Sequence, residues 1–252
     1  FGENREFGPD HPNIGIVVDI WHHHPLRPDD PGDVRIAELE NDKAYRSYLQ
    51  PVFKGGYPEG LLKFMEANDC APEIRAGDME LIRQPLDFYG LNCYNRVVDS
   101  ADPAQVREAV EFAGGNYMDN GAEFYPKAIY DALHIVKEQF GVNIPVFITE
   151  NGTYNCEEKI VSGPDGTPEV HDVTRIKYLE GFLTWLKKAM DEGIDVRGYY
   201  VWSLLDNYEW TAGNSMRFGL VHCDFGGVNC VLKDSAKWMR AMLSSADRNP
   251  AD

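Results

Sequence analysis

Four short apolar runs recur along the chain, each followed after a loop by apolar residues at helical spacing. Ile14 to Ile20 is near-continuous and β-branched, as a strand buried on both faces should be. Leu86 to Asn92, Ile144 to Glu150 and Val196 to Ser203 repeat the pattern. Amphipathic spacing predicts helices over Asp42 to Tyr48, Pro58 to Asn68, Pro126 to Phe140, Thr174 to Glu192 and Ser235 to Ser244. Pro126 suits a first helical turn, and Gly141 and Gly193 suit the residue just past an end. Strand and helix in alternation imply a parallel sheet with helical crossovers, and four strands are too few to close a barrel. Polar residues end each strand on its C-terminal side: Asp19, Asn92, Glu150, then Asp206 to Trp210. That edge is where active sites form in α/β sheets and barrels. The stretches Arg27 to Asp33 and Ser162 to Pro168 are expected to be surface insertions, and there is no repeat at solenoid spacing.

Composition narrows the class. The 252 residues are 43% hydrophobic and 12% aromatic, enough for a sizeable core in a soluble globular protein. Lys and Arg total 24 against 41 Asp and Glu, a formal net charge of −17, which argues against nucleic-acid and anionic-membrane partners. Cys70, Cys93, Cys156, Cys223 and Cys230 are odd in number and widely spaced, so reduced thiols and a cytoplasmic location are expected rather than a disulfide framework or zinc site. No apolar run suits a membrane span. The start Phe1-Gly2-Glu3-Asn4 lacks Met and any signal pattern, as expected if the chain begins within a longer protein.

Two stretches carry candidate chemistry. Glu150 stands where a buried strand turns into Asn151-Gly152, so its carboxylate can face a pocket; Glu and Asn-Gly are also common in turns. Trp202 to Trp210 sets two indoles around Asp206, Asn207 and Glu209. A flat indole suits the C–H face of a pyranose, and a carboxylate can accept two hydroxyl hydrogen bonds. Aromatic core beside a polar loop would read the same way. His22-His23-His24 would point alternately to opposite faces of extended chain, so they are expected to be loop or rim histidines rather than ligands of one metal ion.

The words and their order are more specific. Phe-Ile-Thr-Glu-Asn-Gly at 147–152, Trp-Ser-Leu-Leu-Asp-Asn-Tyr-Glu-Trp at 202–210 and Arg-Phe-Gly at 217–219 resemble the nucleophile and sugar-binding motifs of family 1 glycoside hydrolases. Leu86 to Asn95, Tyr57-Pro58, Tyr125-Pro126 and Lys233 to Ala236 are similar to further family segments, so the resemblance runs over essentially the whole chain. It implies a retaining β-glucosidase needing no cofactor and no metal, acting on β-O-glycosides through a covalent intermediate on Glu150. It further implies Tyr94 as the hydrogen-bonding partner of Glu150 and Asn92 near the sugar's 2-position. Trp202 would floor the glycone subsite, Glu209 hold the 4- and 6-hydroxyls, Trp210 the 3-hydroxyl, and Phe218 close the wall. A cis Trp202–Ser203 peptide is implied as well. Cys93, Ala122 and Met216 depart from the family's usual Tyr, Trp and Lys. With Glu209 and Met216 in place, unphosphorylated sugars are expected over 6-phospho-glycosides.

The resemblance also implies an absence. The family's acid/base lies in an Asn-Glu-Pro motif on the fourth barrel strand, and no Asn-Glu-Pro occurs here. Aligned so, residues 1–252 are expected to be the C-terminal half of a single (β/α)8 barrel, strands five to eight, with the acid/base on a missing N-terminal half. The expected partners are then a β-glucoside and either that N-terminal half or a second half-barrel. The chain alone is expected to lack enzyme-like turnover. The alternatives are an inactive half-barrel that binds sugar and one that self-associates.

Overall fold

The computed structural model describes residues 14–118, 120–155, 158–227 and 229–246. In chain order the strands are β1 (Gly15–Asp19), β2 (His22–Pro25), β3 (Phe88–Asn92), β4 (Arg96–Asp99), β5 (Val146–Asn151), β6 (Val161–Ser162), β7 (Pro168–Glu169), β8 (Val196–Val201), β9 (Val221–Cys223) and β10 (Cys230–Leu232). The α-helices are α1 (Pro31–Asn41), α2 (Ser47–Lys54), α3 (Glu59–Ala67), α4 (Asp78–Ile82), α5 (Val106–Phe112), α6 (Ala128–His134), α7 (Val173–Asp191) and α8 (Asp234–Ala246).

The expected strands pair in parallel in the order β1-β3-β5-β8, so each neighbour is reached by a helical crossover. Alternate residues send Val18, Ile20, Tyr89, Leu91, Val146 and Ile148 into one core with Ile129 and Leu133 of α6 and Leu179, Phe182 and Leu186 of α7. On the opposite face Gly90 lies between Val17 and Thr149, and Phe88 meets Phe147 edge to face at 5.7 Å. The outer strands leave Val17 and Tyr200 48% and 58% exposed.

The parallel content differs from expectation. The strands are not confined to four taken as the fifth to eighth of a (β/α)8 barrel: β2 and β4 form a further parallel pair, with His22 opposite Arg96 and Pro25 opposite Asp99. Six strands among the described residues therefore run parallel, four in the central sheet and two beside it. Periodicity misses the added pair because its histidines and arginine carry no apolar alternation. Its edge is satisfied instead by Asn41, whose amide oxygen accepts from His23 N at 2.9 Å and whose nitrogen donates to His23 O at 2.9 Å. The three histidines do point alternately: His22 and His24 meet at 4.5 Å, while His23 turns to Asp99 at 2.8 Å.

Two stretches expected as insertions are structured. Arg27 to Asp33 holds a helix start, in which Asp30 accepts from Gly32 N and Asp33 N and Pro31 takes the first turn. The helix expected from Asp42 thus begins at Pro31 and runs on through a π-helical turn, Asp42–Arg46, into α2. Ser162 to Pro168 closes a hairpin, with β6 antiparallel to β7. The start Phe1-Gly2-Glu3-Asn4 lies outside the described residues.

Candidate active site

The C-terminal ends of β3, β5 and β8 open onto a pocket of about 390 Å³. Glu150, Tyr94, Trp202, Glu209, Trp210 and Phe218 all line it. Asn92, at the C-terminal end of β3, is not among the lining residues; its amide oxygen accepts from Thr149 Oγ1 at 2.7 Å.

Glu150 is held from two directions. Its backbone oxygen accepts from Cys93 N at 3.1 Å, and its Oε2 accepts from Tyr94 OH at 2.6 Å. Burial, then the hydrogen bond to Glu150, raises the Tyr94 phenol far above its ordinary range, so Tyr94 remains a neutral donor.

Asn151 is a brace rather than an exposed turn residue. It is fully buried, donating from Nδ2 to Cys93 O at 2.6 Å and to Tyr178 OH at 3.1 Å, and accepting from Tyr199 OH at 2.5 Å. Tyr178 OH donates in turn to Tyr94 O at 2.7 Å. One amide therefore ties β5 to β8, α7 and the strand end that carries Tyr94. Gly152 follows because nothing larger fits: a Cβ there would lie 1.9 Å from Trp202 O.

Trp202 precedes a cis peptide to Ser203, and its Nε1 lies 3.4 Å from Glu209 Oε2. Trp210 is 82% exposed, its indole free to meet a ligand. Phe218 packs on Tyr154 at 5.2 Å and on Tyr94 at 6.4 Å.

Further pocket residues come from the structure, among them Trp21, Asn120 and Tyr154. Trp21 stacks on Tyr94 at 6.3 Å and donates from Nε1 to Asp19 Oδ2 at 2.9 Å. Asn120 donates to Tyr154 O at 2.9 Å, and Tyr154 forms wall. Asp19 had a signal, a polar end to a buried strand; Trp21, Asn120 and Tyr154 sit in loops with none. The Asp19 side chain is open to the pocket, yet enough protein surrounds it that burial pushes its carboxyl up to about 6, Trp21 opposing and the Glu150 charge reinforcing the rise.

Behind the pocket loop lies a buried ionic cluster. Asp206 accepts from Lys233 Nζ at 2.9 Å, Arg217 Nη1 at 2.8 Å and Gly219 N at 2.9 Å. Lys233 also reaches Glu158 Oε2 at 2.5 Å, and Arg175 Nη1 donates to Glu158 Oε1 at 3.0 Å. Burial works against the Asp206 charge, but Lys233 and Arg217 hold its carboxyl below the ordinary value. Glu158, Asp206 and His222 bring ligand atoms within 4.8 Å of one another, a spacing that suits a metal ion. The Lys233 ammonium already lies against both carboxylates, so the cation of this cluster is a side chain.

The sequence profile described as Glycosyl hydrolase family 1 matches residues 3–248. The chain is 34% identical to Beta-glucosidase A of Acetivibrio thermocellus over 239 residues, covering 92% of this chain and 51% of that protein. It is 35% identical to the Bifunctional beta-D-glucosidase/beta-D-fucosidase of Bifidobacterium breve, covering 79% of this chain and 46% of that protein. The solved Thermotoga maritima beta-glucosidase in complex with glucoimidazole superposes with a TM-score of 0.79 at 35% identity, over 92% of this chain and 50% of that one. The chain thus spans about half the length of the relatives it matches.

These findings correct the expectation of a half-barrel whose acid/base lies on a missing N-terminal half. The family match runs over residues 3–248 of this chain, and a pocket bearing Glu150, Tyr94 and the further carboxyls of Asp19 and Glu209 forms within it. The expected second partner, an N-terminal half or another half-barrel, is set aside with it. So is the expectation of an inactive chain, which rested on that missing half. Among the described residues no helix is long and apolar enough to cross a membrane.

Proposed function

Because the chain belongs to glycosyl hydrolase family 1, we propose that its pocket works as the nucleophile and glycone site of a retaining β-glucosidase. The observation that carries this reading is the 2.6 Å hydrogen bond from Tyr94 OH to Glu150 Oε2, made on a pocket wall that also presents Trp202 and Glu209. Glu150 attacks the anomeric carbon, the bond to the aglycone oxygen breaks, and a glycosyl ester forms that water later hydrolyses. Trp202 floors the sugar, Glu209 holds its 4- and 6-hydroxyls, Trp210 its 3-hydroxyl, Phe218 closes the wall, and Asn92 acts near the 2-position. The substrates are unphosphorylated β-glycosides, glucose-configured and extending to fucose or galactose, because the Glu209 carboxylate would repel a phosphate dianion. A cytoplasmic location belongs to the same proposal, supported by the odd number and wide spacing of the five cysteines.

Retaining chemistry also needs a carboxyl that can give a proton to the leaving oxygen, about 5 to 5.5 Å from the nucleophile. Among the pocket carboxyls, Asp19 is the one whose pKa burial raises, to about 6. The nucleophile is tested without reference to any acid by a dinitrophenyl 2-fluoro-β-glucoside, whose leaving group departs unprotonated. Peptide mapping after acid quench is expected to place the sugar on Glu150, and Glu150→Gln to bind glucose but take no label. A label elsewhere, or none, overturns the assignment.

A further inference from the structure

Cys223 and Cys230 end facing strands of one hairpin, β9 and β10, and are directly paired in register. The next pair outward carries a ladder bond, Asp224 N donating to Asn229 O at 3.0 Å. Ladder bonds alternate in an antiparallel pair, so Cys223 and Cys230 occupy the non-hydrogen-bonded position, where facing side chains stand closest. The Cys223 N–H is spent elsewhere, on Asp206 Oδ2 at 3.3 Å. The two Sγ atoms lie 3.7 Å apart, already in contact, and a disulfide needs about 2.05 Å. Cys230 is exposed and Cys223 half-buried, so a reagent in solution can reach the pair.

We propose that Cys223 and Cys230 are a redox-modification site, closing to a cross-strand disulfide by exchange with a small-molecule disulfide such as oxidised glutathione. The Cys230 thiolate attacks one glutathione sulfur, forming a mixed disulfide and expelling one glutathione thiolate. Cys223 gives its proton to water, attacks Cys230 Sγ and expels the second. Two cysteine thiols are oxidised to one disulfide while one glutathione disulfide is reduced to two thiols. Burial, and then Cys230 itself, raise the Cys223 thiol, which suits the exposed Cys230 for the first attack.

The site lies directly behind the sugar pocket. Arg217 Nη1 donates to Cys223 O at 3.0 Å and to Asp206 Oδ2 at 2.8 Å, and its guanidinium sits 4.8 Å from the Phe225 ring in the hairpin turn. Phe218, the next residue, is pocket wall. A locked hairpin therefore holds the backbone partner of Arg217 in place.

The experiment is incubation of the whole protein with oxidised glutathione, then alkylation of remaining thiols under denaturing conditions and peptide mapping. The expected result is loss of two of the five thiols, a mass lower by two hydrogen atoms and one cross-linked peptide joining Cys223 to Cys230. Dithiothreitol is expected to reverse all three changes. Cys223→Ser is expected to stop at a single glutathione on Cys230, and Cys230→Ser to form no cross-link. The wild-type map needs no variant to fold. Five thiols retained, a stable glutathione adduct on wild-type Cys230, or a cross-link through Cys70, Cys93 or Cys156 would each overturn the proposal.

Discussion

Gly152 approaches Trp202 so closely that a Cβ on it would lie 1.9 Å from the Trp202 carbonyl oxygen. The loop leaving the Glu150 strand and the strand end carrying Trp202 are thus in backbone contact, with no side chain between them. Gly152→Ala must push the two apart, and overpacking of this kind costs about 1 to 3 kcal/mol. The variant is expected to melt lower and to bind sugar weakly, as Trp202 shifts. Unchanged melting temperature and affinity would show that the loop can move aside freely.

Removing the Tyr94 hydroxyl isolates one contact. Tyr94→Phe keeps the ring on Trp21 and Phe218 but takes away the donor to Glu150, and a hydrogen bond to a charged group is worth about 1.5 to 3 kcal/mol. Formation of the glycosyl ester with the dinitrophenyl substrate is expected to slow by about 10- to 100-fold, with the melting temperature little changed. Stopped-flow release of dinitrophenolate checks this, and a wild-type rate would remove Tyr94 from the nucleophile's support.

Lys233 is fully buried between Glu158 and Asp206. Lys233→Met leaves two carboxylates without their ammonium, and stranding buried charge in this way costs about 3 to 5 kcal/mol. Urea unfolding is expected to show that loss, or the variant to accumulate unfolded. A variant as stable as wild type would mean that Arg175 and Arg217 suffice.

Asp19 supplies a pH signature. Its carboxyl binds a proton more tightly in the folded protein, at about 6, than its ordinary value of 3.8. Its contribution is therefore fully present below 3.8 and lost as pH rises through about 6. Asp19→Asn cannot ionise, so its melting temperature is expected to gain on wild type across that window and to hold the gain above it. A difference between the two proteins that stays flat from acid to neutral pH would show that Asp19 is an ordinary surface carboxylate.

Apolar periodicity and punctuation determined the central sheet by themselves. The four expected strands match β1, β3, β5 and β8 within two residues at each end, because a strand covered by helices must be apolar almost throughout. Motif order likewise determined the family and singled out Glu150, Tyr94, Trp202, Glu209, Trp210 and Phe218, which the fold gathers around one pocket. Tertiary structure alone decided the β2–β4 pair and the brace at Asn151, whereas the helix start at Pro31 carried a local signal, Asp30 before Pro31, that apolar spacing passed over. In the pair and the brace, polar groups are satisfied by partners distant in sequence: Asn41 on His23, and Asn151 on Cys93, Tyr178 and Tyr199. Hydrophobic burial acts through spacing that can be counted along the chain. A buried polar group is stable only once the chain has closed around it, so its role, like the contact of Cys223 with Cys230, exists only in the folded molecule.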